Sequence, residues 1–263
     1  MPSTIFVGVS TKAYFGFAQT LDWLSELRDT VVARPELATN GVIPFVIPSA
    51  PLLPRSVALL AGTGVLVGAQ DLGYSTGAFT GETPAPMLAE IGVRIAEIGH
   101  AERRSLFHET DEVIERKHAA ATAAGLTSLL CVGELDVSTP EEAARFCFDQ
   151  ITAVVPSAQT ADVLIAYEPV WAIGADAPAA PDYVNAVIHE LRALVVARYP
   201  DLGVSFIYGG SAGPGLLPLL SELDGIFLGR FGHDIGNLAA VLDEALALTT
   251  SSTPTPDNKK VAS

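Results

Sequence analysis

Eight runs of mostly apolar, β-branched residues recur along the chain, at 4–10, 41–48, 64–70, 93–100, 127–134, 162–169, 203–210 and 225–230. Their near-continuous apolarity, without strict alternation, is the pattern of strands covered on both faces, as in a parallel sheet. The runs are too far apart for hairpins, and helical patterns fill the gaps. In "TPEEAARFCFDQITAVV" (139–155) Thr139 stands at the N-cap and Glu142 at the capping-box position. In "PDYVNAVIHELRALVVARY" (181–199) Pro181 lies near the helix start, where its missing N–H costs nothing.

Eight strands alternating with helices over about 250 residues predict an α/β fold, a single (β/α)8 barrel spanning 1–249. The competing architecture, a doubly wound open sheet, is disfavoured because no Gly-x-Gly-x-x-Gly turn follows the first run in this sequence. Residues 250–263, "TSSTPTPDNKKVAS", are small, polar and proline-bearing, and are expected to be a disordered tail.

Composition narrows the function. With 49% apolar and 17% charged residues the chain can bury a large core. A net charge of −15 argues against nucleic acid or an anionic membrane as partner, since both require a basic face. It does not exclude a small anion held by a few local donors. No basic-then-apolar leader opens the chain and no apolar run approaches the ~18 residues that cross a bilayer. Cys131 and Cys147 have neither metal-ligand nor redox spacing, so two reduced thiols in a cytoplasmic protein are expected.

In a barrel, the C-terminal ends of the strands form one rim. Lys12 follows the first run, His100 ends the fourth and Glu168 ends the sixth. The seventh and eighth enter "YGGSAG" and "LGRFG". Each feature alone has an ordinary reading as a cap, a structural histidine, a solvated loop end or a tight turn. Their coincidence on one rim is the signal. His108, His118, His189 and His233 show no metal spacing. A desolvated Glu168 can take a proton from a carbon beside a carbonyl. His100 and Lys12 can then stabilise the charge on oxygen. Gly209, Gly210, Ser211 and Gly229 can offer backbone N–H groups to a phosphate. This proton transfer needs neither metal nor cofactor.

These residues lie in segments that resemble triosephosphate isomerases: "GAQDLGYSTGAFTGE" (68–82), "IGHAERRSLFHETDE" (98–112), "CVGE" (131–134), "AYEPVWAIG" (166–174), "YGGS" (208–211) and "LDGIFLG" (223–229). The matches are collinear over roughly 5–245. The resemblance implies Glu168 as catalytic base, His100 as neutral electrophile, Lys12 as the stabilising cation and Glu102 as its acidic partner. Pro169, Val170, Trp171, Ala172, Ile173, Gly174, Ala175 and Asp176 correspond to a mobile lid that excludes water from a cis-enediolate. Gly174, Ser211 and Gly229 fall at phosphate-contacting positions, and the 68–82 loop implies a homodimer.

The chain also departs from the family. Its usual Asn-Trp-Lys-Met-Asn reads Ser10, Thr11, Lys12, Ala13, Tyr14; Ala101 follows His100; the lid carries Ala175, Asp176 and Ala177; and Arg230 replaces a glycine. Ser10 and Thr11 would leave room beside the reacting carbons. Arg230 either adds a phosphate or hydroxyl contact or points away from the rim. The departures resemble a branch acting on tetrulose (erythrulose) phosphates, and that substrate is expected slightly ahead of the triose phosphates of glycolysis. Two further readings are a non-catalytic phosphate-binding barrel and a methylglyoxal-forming activity through a leaky lid.

Overall fold

The structure, a computed structural model, describes residues 4–175 and 177–251. Eight parallel strands close a barrel in sequence order: β1 (Ile5–Ser10), β2 (Val42–Ile47), β3 (Leu66–Ala69), β4 (Ile95–Ile98), β5 (Thr127–Val132), β6 (Val163–Tyr167), β7 (Val204–Tyr208) and β8 (Gly225–Leu228). Around it run α1 (Phe17–Val32), α2 (Glu36–Thr39), α3 (Leu53–Leu59), α4 (Ala85–Glu90), α5 (Ala101–Leu106), α6 (Asp111–Ala123), α7 (Pro140–Val154), α8 (Pro181–Arg198) and α9 (Ile235–Ser251). Every predicted strand is present but shorter than its apolar run. The last residues of several runs, such as Gly99–His100 and Glu168–Pro169, leave the ladder and enter the loops of the rim.

Both faces of each strand are buried, which explains the unbroken apolar runs. Phe45, Ile47, Ile95, Leu129, Leu164, Ile207 and Phe227 fill the interior. Their neighbours in sequence, including Val46, Ala96, Leu130, Ile165 and Leu228, pack under the helices. Gly8 is required here, because a Cβ would run into the Phe45 ring that plugs the barrel.

The predicted capping box forms: Thr139 Oγ1 accepts from the Glu142 N–H at 3.3 Å, and the Glu142 carboxylate accepts from the Thr139 N–H at 3.1 Å. An ion cluster that the sequence patterns did not reveal ties β3 to the next helices. Lys117, 3% exposed, binds Asp71 at 2.6 Å and Glu109 at 2.5 Å, and Arg103 reaches the same two carboxylates at 2.8 and 2.6 Å. Asp71 lies in the 68–82 segment, so this cluster anchors the start of that loop.

α9 continues to Ser251, and in its last turn the Thr249 and Thr250 hydroxyls donate to the Leu246 carbonyl, at 2.9 and 3.1 Å. The rest of the expected tail lies outside the described residues. Among the described residues no helix is long and apolar enough to cross a membrane.

Candidate active site

Lys12 follows β1 with φ +43°, a left-handed conformation costly for a residue with a Cβ. Its carbonyl is fixed from two sides, accepting from Ser49 Oγ at 3.0 Å and Gln70 Nε2 at 2.9 Å. This over-determined backbone directs Nζ to Glu102 Oε1, 2.7 Å away. Burial alone would lower the ammonium pKa. The Glu102 hydrogen bond and the charges of Glu102, Glu168 and Glu97 outweigh burial and hold it above the ordinary lysine value. Glu102 is shifted the other way: desolvation opposes its ionisation, but Lys12 and His100 more than compensate.

His100 caps α5. Its Nδ1 accepts from the Glu102 N–H at 3.0 Å, which requires a lone pair on Nδ1 and places the ring proton on Nε2. Nε2 stands 3.4 Å from Glu168 Oε2. A neutral imidazole thus presents its N–H to the mouth of the barrel.

Glu168 is 2% exposed and its Oε2 has no hydrogen-bond partner among the described residues. Burial pushes this carboxyl above the ordinary carboxylate range, and His100 and Lys12 hold back part of the rise. Gly209 makes the position possible: a Cβ there would come to 2.5 Å from Glu168 Oε1 and 2.6 Å from Cγ. That corrects the expectation for this glycine. Its N–H donates to the Tyr167 carbonyl at 2.9 Å and is not free for a phosphate; it supplies space for the acid.

The segment after β6, expected to be a lid, is fastened at both ends. Pro169 leads into a 3-10 turn, Val170–Ala172, and Gly174 takes φ +73°. On the near side, Glu134 accepts from the Trp171 indole N–H at 2.8 Å, the Tyr183 hydroxyl at 3.0 Å and the Tyr167 hydroxyl at 3.1 Å. On the far side, Ser211 Oγ donates to the Ala175 carbonyl at 2.9 Å, and the Ala179 N–H donates to Tyr208 Oη at 3.0 Å. Arg230 reaches inward across the rim, with Nη2 3.4 Å from the Gly174 carbonyl. Asp176, expected in the lid, lies outside the described residues. Glu134 was visible in "CVGE" only as part of a motif; its three donors come from three different segments. Glu134→Ala would leave these donors unpaired, at about 1–3 kcal/mol for each that stays dry. A Tm lower by several degrees and a raised KM are expected in thermal and steady-state measurements.

Lys12, His100, Glu168, Gly174, Ser211 and Arg230 line one cavity of about 250 Å³, with Ser10, Gly210 and Gly229 also on its wall. The expected residues therefore do converge, and Gly209 lines the same cavity beside the acid. A ligand's anionic end would meet the Ser211, Gly229 and Arg230 side, and its reactive carbons the Glu168, His100 and Lys12 side. The arrangement suits removal and return of a proton beside a carbonyl, with charge on oxygen met by a neutral N–H and an ammonium.

A family model described as triosephosphate isomerase matches residues 5–245. The chain is 44% identical over 250 residues to an L-erythrulose-1-phosphate isomerase of Pectobacterium atrosepticum, covering 93% of this chain and 96% of the relative. It is 39% identical over 235 residues to a triosephosphate isomerase of Azoarcus sp., covering 88% and 93%. The crystal structure of triosephosphate isomerase from Bartonella henselae superposes with a TM-score of 0.76 at 27% identity, covering 91% of this chain and 98% of that one.

Proposed function

The chain belongs to the triosephosphate isomerase family, and from that premise we propose that it isomerises a tetrulose phosphate of the erythrulose phosphate type. It is a sugar-phosphate isomerase. In the reaction we envisage, Glu168 takes the proton from the hydroxyl-bearing carbon beside the ketone. The electron pair of that C–H bond forms the C=C bond of a cis-enediolate, and the carbonyl π pair moves to oxygen. Lys12 and the Nε2–H of His100 stabilise that oxygen, and one proton passes between the two oxygens through His100. Glu168 then returns its proton to the former carbonyl carbon, so the carbonyl has moved one position and nothing is gained or lost.

The observation that carries this reading is the unpartnered Oε2 of Glu168 facing His100 Nε2 across 3.4 Å in the cavity. The tetrulose preference draws support from Ser10, which stands where the family has asparagine, and from the 44% identical relative, itself named an L-erythrulose-1-phosphate isomerase. A 36% identical relative from Rhizobium meliloti, covering 91% of this chain, bears the same name. Glu102 would hold Lys12 in place. Gly174, Gly210, Ser211, Gly229 and Arg230 would bind the phosphate, under a lid spanning Pro169 to Asp176. The working form would be a cytoplasmic homodimer in which the 68–82 loop enters the neighbouring subunit, with neither nucleic acid nor membrane as partner.

Assaying dihydroxyacetone phosphate, glyceraldehyde 3-phosphate and the tetrulose phosphates in parallel tests the substrate. The highest kcat/KM is expected for a tetrulose phosphate; a triose-phosphate value far above it would establish an ordinary glycolytic isomerase. Solvent deuterium must enter the substrate if the barrel is catalytic, and inorganic phosphate release would report a leaky lid.

A further inference from the structure

Glu97 lies on β4 two residues beyond Ile95, which points into the barrel, and so faces the interior as well. It is 3% exposed, and its carboxyl makes no hydrogen bond to any described residue. Burying a carboxyl without a partner costs folding free energy. Burial first, then the nearby charge of Glu168, pushes Glu97 well above the ordinary carboxylate range, against the pull of Lys12. A carboxyl that keeps its proton can donate as well as accept.

Glu97 lines a second cavity of about 420 Å³ on the β1, β3 and β4 side of the rim. This cavity shares Ser10, Lys12, His100 and Glu102 with the 250 Å³ cavity that holds Glu168. Those four residues line both spaces. A ligand with its phosphate at Ser211 and Gly229 and its reacting carbons at Glu168 directs its opposite end towards these shared residues. A triose phosphate stops at the reacting carbons. A tetrulose phosphate carries one more hydroxymethyl group there, and Ser10 leaves room for it.

We propose that Glu97 is a specificity-determining residue that hydrogen-bonds the terminal hydroxyl of this extra hydroxymethyl group. The proposal rests on the tetrulose-phosphate reading above. It explains why an unpartnered acid is retained inside the barrel, where an apolar side chain would pack at lower cost.

The test compares wild type, Glu97→Gln and Glu97→Leu on erythrulose 1-phosphate and dihydroxyacetone phosphate, with Tm and sedimentation measured for each. In Glu97→Leu the ratio of tetrulose to triose kcat/KM should fall roughly ten- to hundredfold, as for loss of one buried hydrogen bond to substrate. Glu97→Gln, which still donates and accepts, should keep most of the ratio, and both variants should stay folded and dimeric. An unchanged ratio in folded Glu97→Leu overturns the proposal. So does a parallel loss on both substrates with a weakened dimer, which would assign Glu97 to the neighbouring subunit's loop. A wild type that prefers triose phosphate refutes the substrate reading, and the proposal with it. A tetrulose-preferring wild type whose ratio survives Glu97→Leu refutes the proposal alone.

Discussion

Replacing Glu168 by glutamine is expected to lower kcat by roughly a thousandfold or more while leaving the barrel folded, because the lost group is the general base and glutamine fills the same volume. The carboxyl sits in a slot made by the missing Cβ of Gly209, so shape is preserved. Its charge is held at 2% exposure with one oxygen unpartnered, so a neutral side chain there should leave Tm unchanged or raise it. Turnover, solvent-deuterium exchange and thermal unfolding of the same preparation check this. Wild-type exchange in the glutamine variant would remove Glu168 from the mechanism.

Lys12→Met should cost roughly two to three orders of magnitude in kcat/KM, the range seen when a charge-stabilising donor is lost from a developing oxyanion. It should also move the pH profile. Glu168 must be ionised to act, so kcat/KM falls as pH falls through its folded-state pKa. Burial has already raised that pKa, and Lys12 is one of the groups restraining the rise, with His100 and Cys131. Without Lys12 the acid limb moves to higher pH. Stability runs the opposite way with pH. Between the ordinary carboxylate value and the raised one, the folded state binds more protons than the unfolded state. Stability therefore declines as pH climbs through that window, and the decline should be larger in the variant. An acid limb that stays put, or moves to lower pH, would show that Lys12 does not act on Glu168.

The barrel and its three central residues were legible in the sequence for a simple reason. A parallel strand buried on both faces writes a continuous apolar run, and eight runs with helices between them allow few architectures. Lys12, His100 and Glu168 were legible because each interrupts or follows such a run at its C-terminal end. Glu97 lies inside a run and was passed over: one polar residue within "VRIAEIGH" does not disturb the strand pattern. The Asp71, Arg103, Glu109 and Lys117 cluster was missed because its members are charged residues on loops and helices, where charge is ordinary.

What the sequence determined by itself was the order of the strands, their burial on both faces and the kinds of side chain that end on the rim. These follow from continuous apolar runs, helical patterns between them and local capping, which act over a few neighbours. Tertiary structure decided how those side chains are set. It chose the tautomer of His100 through the Glu102 N–H and held Lys12 at a left-handed φ through Ser49 and Gln70. It also turned Gly209 from an expected phosphate donor into the space that Glu168 occupies. Each of these depends on desolvation or on hydrogen bonds that closing the barrel brings about, and hydrophobic period does not encode them.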